Sequence, residues 1–205
     1  MSSERTPDST TILHINTPEL VDQWRARFAE SYPAVFTGAP YFEDISNADA
    51  VAVWDRLTAV PENITLLAIN SSNDVLGFGI AIPLNKQKDV STELTGLIPV
   101  PHTFYLAELG VLPSARGRGL GRALVKQRMD LIDRERYAGV VLRVAEGRNT
   151  SKLMYEAMGF EDMGVYMEVE APRVDGTRSN DRRLFLYCVL SQVEMDTQSE
   201  DAGSK

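Results

Sequence analysis

The chain has 205 residues, 43% of them hydrophobic and 24% charged, which suits one domain with a full core. Its net charge of −8 argues against general nucleic-acid binding, where a basic face must displace counterions, and fits either plain solubility or a cationic acceptor such as an amine. No stretch approaches the roughly 18 apolar residues of a membrane span, the polar opening MSSERTPDST has no secretory core, and the lone Cys188 cannot build a disulfide framework, so a cytoplasmic protein is expected.

Residues 1–10 and 194–205 are rich in Ser, Thr, Asp and Glu and read as disordered tails, the second one acidic. No repeat or linker divides residues 11–193, so a single domain is expected there. Residues 11–15 read as a first strand. Thr17-Pro18-Glu19 starts a helix with a hydroxyl cap, a first-turn proline and an acid at the positive helix end, and the helix is expected to run to about Glu30. A second helix is expected over 46–58, capped by Ser46. Residues 64–69 and 75–83 flank a polar turn and read as a hairpin. Residues 84–102 look long and irregular, which marks either a functional lid or a poorly ordered loop.

A strand over 104–111 follows, then a glycine-rich turn and a helix over 119–136. That helix is expected to present Leu120, Ala123, Leu124 and Leu131 to the core. A strand over 139–144 leads to a short helix over 149–157, ended by Gly159, where a left-handed residue is wanted. Strands over 163–170 and 183–190 close the chain around Val174-Asp175-Gly176, with Cys188 a small hydrophobe in the second. The order predicts a mixed α/β (α+β) fold, with a largely antiparallel central sheet, one parallel crossover and flanking helices.

The turn Arg116-Gly117-Arg118-Gly119-Leu120-Gly121 carries the clearest chemistry. Its glycines allow a tight backbone turn, and the following helix adds N–H groups and its positive end. Arg116, Arg118 and Arg122 add charge, which together describes a pyrophosphate site. A P-loop would need a Gly-Lys-Ser/Thr ending, which is absent. A dinucleotide fingerprint counted from Gly117 puts Arg122 where its third glycine belongs, and a purely structural glycine turn leaves the clustered arginines unexplained.

Leu106-Ala107-Glu108-Leu109-Gly110-Val111-Leu112-Pro113, followed by Arg116, Gly119 and Gly121, resembles the acyl-CoA-binding motif of the GCN5-related N-acetyltransferases. Downstream, Asn149, Tyr155, Gly159 and Phe160 match a second segment of that family. The resemblance is strong over residues 104–162 and architectural elsewhere. It implies splayed fourth and fifth strands and acetyl-CoA as the cofactor. It also implies transfer of an acetyl group to a primary amine of a small molecule, peptide or protein, by a monomer or homodimer.

The resemblance assigns the CoA phosphates to Arg116, Gly117, Arg118, Gly119, Leu120, Gly121 and Arg122. It assigns the pantetheine arm and thioester to the backbone of Leu109, Gly110 and Val111, with Gly110 allowing close approach of the cofactor or marking a bulge. Tyr155 is the candidate acid: a phenol of pKa about 10 can protonate a thiolate of pKa about 8.5, or it simply packs beside the cofactor. Glu108 is the candidate base for an amine of pKa about 10.4, or anchors the acceptor. If Leu109 and Val111 point inward, Glu108 and Gly110 share the other face. Asn149 either contacts the cofactor or caps its helix. His102 reads as a solvated loop residue, and no metal site is expected. The rival to the enzyme is a CoA-binding sensor or scaffold without catalysis.

Overall fold

The computed structural model describes residues 9–39, 41–147 and 149–190. The tail expected over 194–205, and all but the last two residues of the one over 1–10, lie outside the described residues. The strands are β1 (Thr11–Ile15), β2 (Ile64–Ile69), β3 (Val75–Pro83), β4 (Thr103–Val111), β5 (Gly139–Ala145), β6 (Glu161–Pro172) and β7 (Arg178–Val189). The helices are α1 (Pro18–Phe36), α2 (Asn47–Thr58), α3 (Lys88–Leu94), α4 (Leu120–Leu131) and α5 (Thr150–Glu156). Among the described residues no helix is long and apolar enough to cross a membrane.

Local chemistry places the helix starts. The Thr17 hydroxyl accepts from Leu20 N at 3.3 Å, with Pro18 in the first turn. Ser46 and Asp49 form a reciprocal capping box on α2. Helix α1 runs past the expected end at Glu30, through Pro33, to Phe36. Its last turns are held by packing, since Tyr32, Val35 and Phe36 join the aromatic cluster around Phe78.

The strands form one sheet in the order β1-β2-β3-β4-β5-β7-β6. Every neighbouring pair is antiparallel except β4 and β5. One face packs on α1, α2 and α3, through Phe28, Trp54, Phe78, Tyr105 and Phe185. The other packs on α4 and α5, through Phe104, Leu106, Leu124, Val125, Tyr155 and Phe160.

Three sequence expectations are corrected. The 84–102 segment is mostly ordered: a 3₁₀ turn at Leu84–Lys86, helix α3, and a second turn at Val100–His102, anchored by buried Leu84, Val90 and Leu94. Helix α4 stops at Leu131 and turns a different stripe inward. Ala123 and Leu131 are exposed, while Leu124, Val125 and Arg128 are buried. Strands β6 and β7 extend beyond 163–170 and 183–190 because they pair with each other as far as Pro172 and Arg178.

The parallel pair β4–β5 is what opens a site. Its register covers only Thr103 to Leu106 against Gly139 to Leu142. Beyond that, β4 stays on β3, with Glu108 opposite Ile80 and Val111 opposite Gly77. Strand β5 stays on β7 through Ala145. The two strands therefore part, and residues 107–111 of β4 have no strand partner on their β5 side among the described residues.

Candidate active site

The glycine-rich turn enters α4 with two left-handed residues, Gly117 at φ 75° and Gly119 at φ 78°. Gly119 is the N-cap and has no side chain to satisfy the first turn. The first intrahelical bond runs from Ala123 N to Gly119 O at 3.0 Å. The N–H groups of Leu120, Gly121 and Arg122 therefore have no acceptor within the helix, and they point out of the positive end of α4. This is an anion cradle made of backbone. Arg118 is exposed beside it, and Arg122 donates to Ala157 O at 3.3 Å. The Arg116 guanidinium is committed elsewhere: it donates to Val111 O at 3.0 Å, Ala39 O at 3.2 Å and Val35 O at 3.1 Å. Its side chain ties the loop to the ends of α1 and β4.

Strand β4 carries a bulge. Its register against β3 steps from Ile80–Glu108 to Ala81–Leu106, so Ala107 is the extra residue. The bulge switches the alternation. Phe104 and Leu106 face α4, Tyr105 faces α1, and after the extra residue Leu109 and Val111 again face the α4 side. Glu108 is thereby turned to the α1 face, the same side as Tyr105. Gly110 shares that face. A Cβ there would stand 2.2 Å from Phe78 Cζ, so the aromatic core by itself requires glycine at this position. The backbone of Leu109, Gly110 and Val111 still lies on the open edge of β4.

Glu108 accepts a hydrogen bond from the Tyr32 hydroxyl at 3.0 Å. Burial pushes its carboxyl up to about 6; the Tyr32 bond and the charges of Arg56 and Arg143 oppose that rise, and Glu43 adds to it. The group is mostly ionised at pH 7 yet still able to take a proton. Burial and the Glu108 charge hold the Tyr32 phenol well above its ordinary value, so it stays a donor.

Tyr155 lies on the opposite face, 5% exposed, with its ring edge-on to Phe160 at 5.5 Å. Burial pushes its phenol up to about 12, and the nearby Arg128 charge opposes the rise. It keeps its proton at neutral pH. Glu108 and Tyr155 thus approach from opposite faces of the sheet where β4 and β5 part.

Asn149 caps α5: its Oδ1 accepts from Lys152 N at 2.9 Å, and its Nδ2 donates to Ala145 O at 2.9 Å and Gly147 O at 3.3 Å. These bonds fasten the end of β5 to the helix that carries Tyr155. His102 is exposed, its Nδ1 3.0 Å from Arg136 O. Two residues of the site escaped the sequence reading. Tyr32 comes from a helix 76 positions before Glu108 and left no local signal. Arg128 did leave one: it falls four residues after Leu124 and three after Val125, on the core stripe of α4.

Two segments are sewn together around Glu43, whose charge reaches Glu108. Asp44 N donates to Pro172 O at 2.9 Å, Val174 N to Phe42 O at 3.0 Å, and Arg183 pairs with Glu43 at 3.0 Å.

A sequence model of the acetyltransferase (GNAT) family matches residues 21–160. A 60-residue segment is 45% identical to the mycothiol acetyltransferase of Rhodococcus erythropolis. It spans 29% of this chain and 20% of that relative, so the match covers about a fifth of the relative's length. Among solved structures, an acetyltransferase from Salmonella typhimurium with its cofactor acetyl-CoA superposes with a TM-score of 0.62 and 17% identity, over 90% of this chain and 96% of that one. An acetyltransferase from Acinetobacter baylyi gives 0.64 and 14%, over 92% and 97%. Arabidopsis thaliana NAA60 in complex with a bisubstrate analogue gives 0.60 and 17%, over 89% and 100%. At these identities the structural matches establish the fold.

Proposed function

The chain belongs to the acetyltransferase (GNAT) family, and we propose that it transfers the acetyl group of acetyl-CoA to a primary amine of a small molecule or peptide. The observation that carries the reading is the opening between β4 and β5, with a backbone anion cradle at one end, Glu108 on one face and Tyr155 on the other.

The residues fit such a cofactor. The uncapped turn of α4 suits a pyrophosphate, and the unpaired edge of β4 suits an extended amide-bearing arm. Bound acetyl-CoA supplies an activated acetyl thioester. Residues 117–122 hold the phosphates through N–H groups, with Arg118 and Arg122 alongside. The β4 edge at Leu109, Gly110 and Val111 offers N–H and C=O groups that orient the arm and polarise the thioester carbonyl. Glu108, held by Tyr32, accepts the amine proton. Tyr155 donates a proton to the departing sulfur.

The test is thiol release from acetyl-CoA with a panel of small amines and peptides, with the acetylated product identified by mass. Turnover of at least one amine is expected. CoA binding without turnover of any of them would refute the reading and favour a sensor.

A further inference from the structure

Arg128 is completely buried in α4, where a charge is costly unless it is paired. Its Nε donates to Leu124 O at 3.2 Å, and its Nη1 donates to Glu108 O at 2.8 Å and Ile80 O at 3.1 Å. The remaining nitrogen, Nη2, is buried without a hydrogen-bond partner among the described residues. Strand β3 makes room for the group: a Cβ at Gly79 would stand 2.8 Å from Nε and 2.9 Å from Cζ. One cation therefore grips the backbone of Glu108 next to the bulge and keeps a donor in reserve. Tyr155 acts on Arg128 by charge and from within side-chain hydrogen-bonding range, although no bond of full geometry forms to Nη2; Glu108 acts on it by charge, and Tyr155 in turn responds to Arg128, Tyr41 and Glu108.

Nε and Nη1 already hold all three carbonyls, so a residue needed only for that would not require a further, unsatisfied nitrogen in the core. We propose that Arg128 is a positioning residue for acyl transfer, its free Nη2 serving as the counter-charge for negative charge on the departing sulfur and on the Tyr155 oxygen. This rests on the acetyl-transfer reading above. In that step the amine nitrogen bonds the acetyl carbon and the carbon–sulfur bond breaks. The amine proton passes to Glu108 and the Tyr155 proton to the sulfur. Tyr155 is left as a buried oxyanion until water re-protonates it, and Glu108 returns its proton to solvent. A buried oxyanion needs a neighbouring cation, and Arg128 is the one its surroundings supply.

The test uses the full chain with Arg128→Met, Arg128→Gln and Arg128→Lys. Met fills similar volume without charge, Gln keeps a donor for the carbonyls without charge, and Lys keeps the charge without the fork. The first readout is ultraviolet titration of the thiol of CoA bound to each protein, which needs no acceptor. In Arg128→Met and Arg128→Gln the thiol is expected to ionise about one pH unit higher than in the wild type, and Arg128→Lys is expected to restore part of the difference. The second readout is turnover. A kcat loss of at least about 10-fold in the neutral variants is expected with little change in the KM for acetyl-CoA, and with Lys above Met even where Met is the more stable protein. Either neutral variant suffices if the other fails to fold. Thiol titrations that coincide with the wild type, or activities that simply follow thermal stability, would overturn the proposal. A wild type that shows the lowered thiol titration but acetylates no amine would sink the functional reading and leave the counter-charge standing.

Discussion

Replacing Glu108 with Gln should make the protein more stable and much less active, and the two effects should depend on pH in a fixed way. Burial moves this carboxyl from 4.5 to about 6. At about 1.4 kcal/mol per pH unit, ionised Glu108 costs the folded state up to about 2 kcal/mol. The folded value is raised for an acid, so the native state holds the proton more tightly than the unfolded chain. The cost is absent below about pH 4.5, builds up to about pH 6, and is constant above. Gln removes it and can still accept from the Tyr32 hydroxyl. Glu108→Gln should therefore melt about 4–8 °C higher at pH 7 and together with the wild type at pH 4. At saturating amine, kcat/KM for acetyl-CoA should fall about 10²- to 10⁴-fold at pH 7. The wild-type decline below about pH 6 should vanish in the variant. Differential scanning calorimetry and a thiol-release assay from pH 5 to 9 read both effects. A Gln variant with wild-type kcat/KM and an unchanged acid limb would refute the base assignment. Equal melting shifts at pH 4 and pH 7 would refute the burial argument.

Tyr155→Phe keeps the ring on Phe160 but removes the proton donor; steady-state kinetics should show kcat about 10- to 100-fold lower with the KM for acetyl-CoA within a few-fold. Tyr32→Phe deletes the hydrogen bond that holds the Glu108 carboxyl down, so the acid limb of the pH–rate profile should move to higher pH. Gly110→Ala drives a methyl into Phe78, at 2.2 Å before relaxation, and should lower stability by about 1–3 kcal/mol in urea unfolding.

What the sequence determined by itself is local. Gly117 and Gly119 were readable because a left-handed backbone is a property of the residue and its immediate neighbours. The caps at Thr17, Ser46 and Asn149 were readable because each side chain meets a backbone group three positions on. The β2–β3 hairpin announced itself by its polar turn. Tertiary structure decided the rest. Which face Glu108 takes depends on a bulge at Ala107, and that depends on how β4 registers on β3. The partners of Arg116 at Val35 and Ala39, the Tyr32 hydroxyl on Glu108, and the Phe78 ring over Gly110 come from segments brought together only by packing two cores on one sheet. Arg128 shows the limit most directly: charge alone assigns it to solvent, while the stripe it occupies and the space above Gly79 bury it beside Tyr155. A local motif fixes the backbone turn into α4. The register of one strand and the packing of the helices fix the faces on which Glu108 and Tyr155 lie.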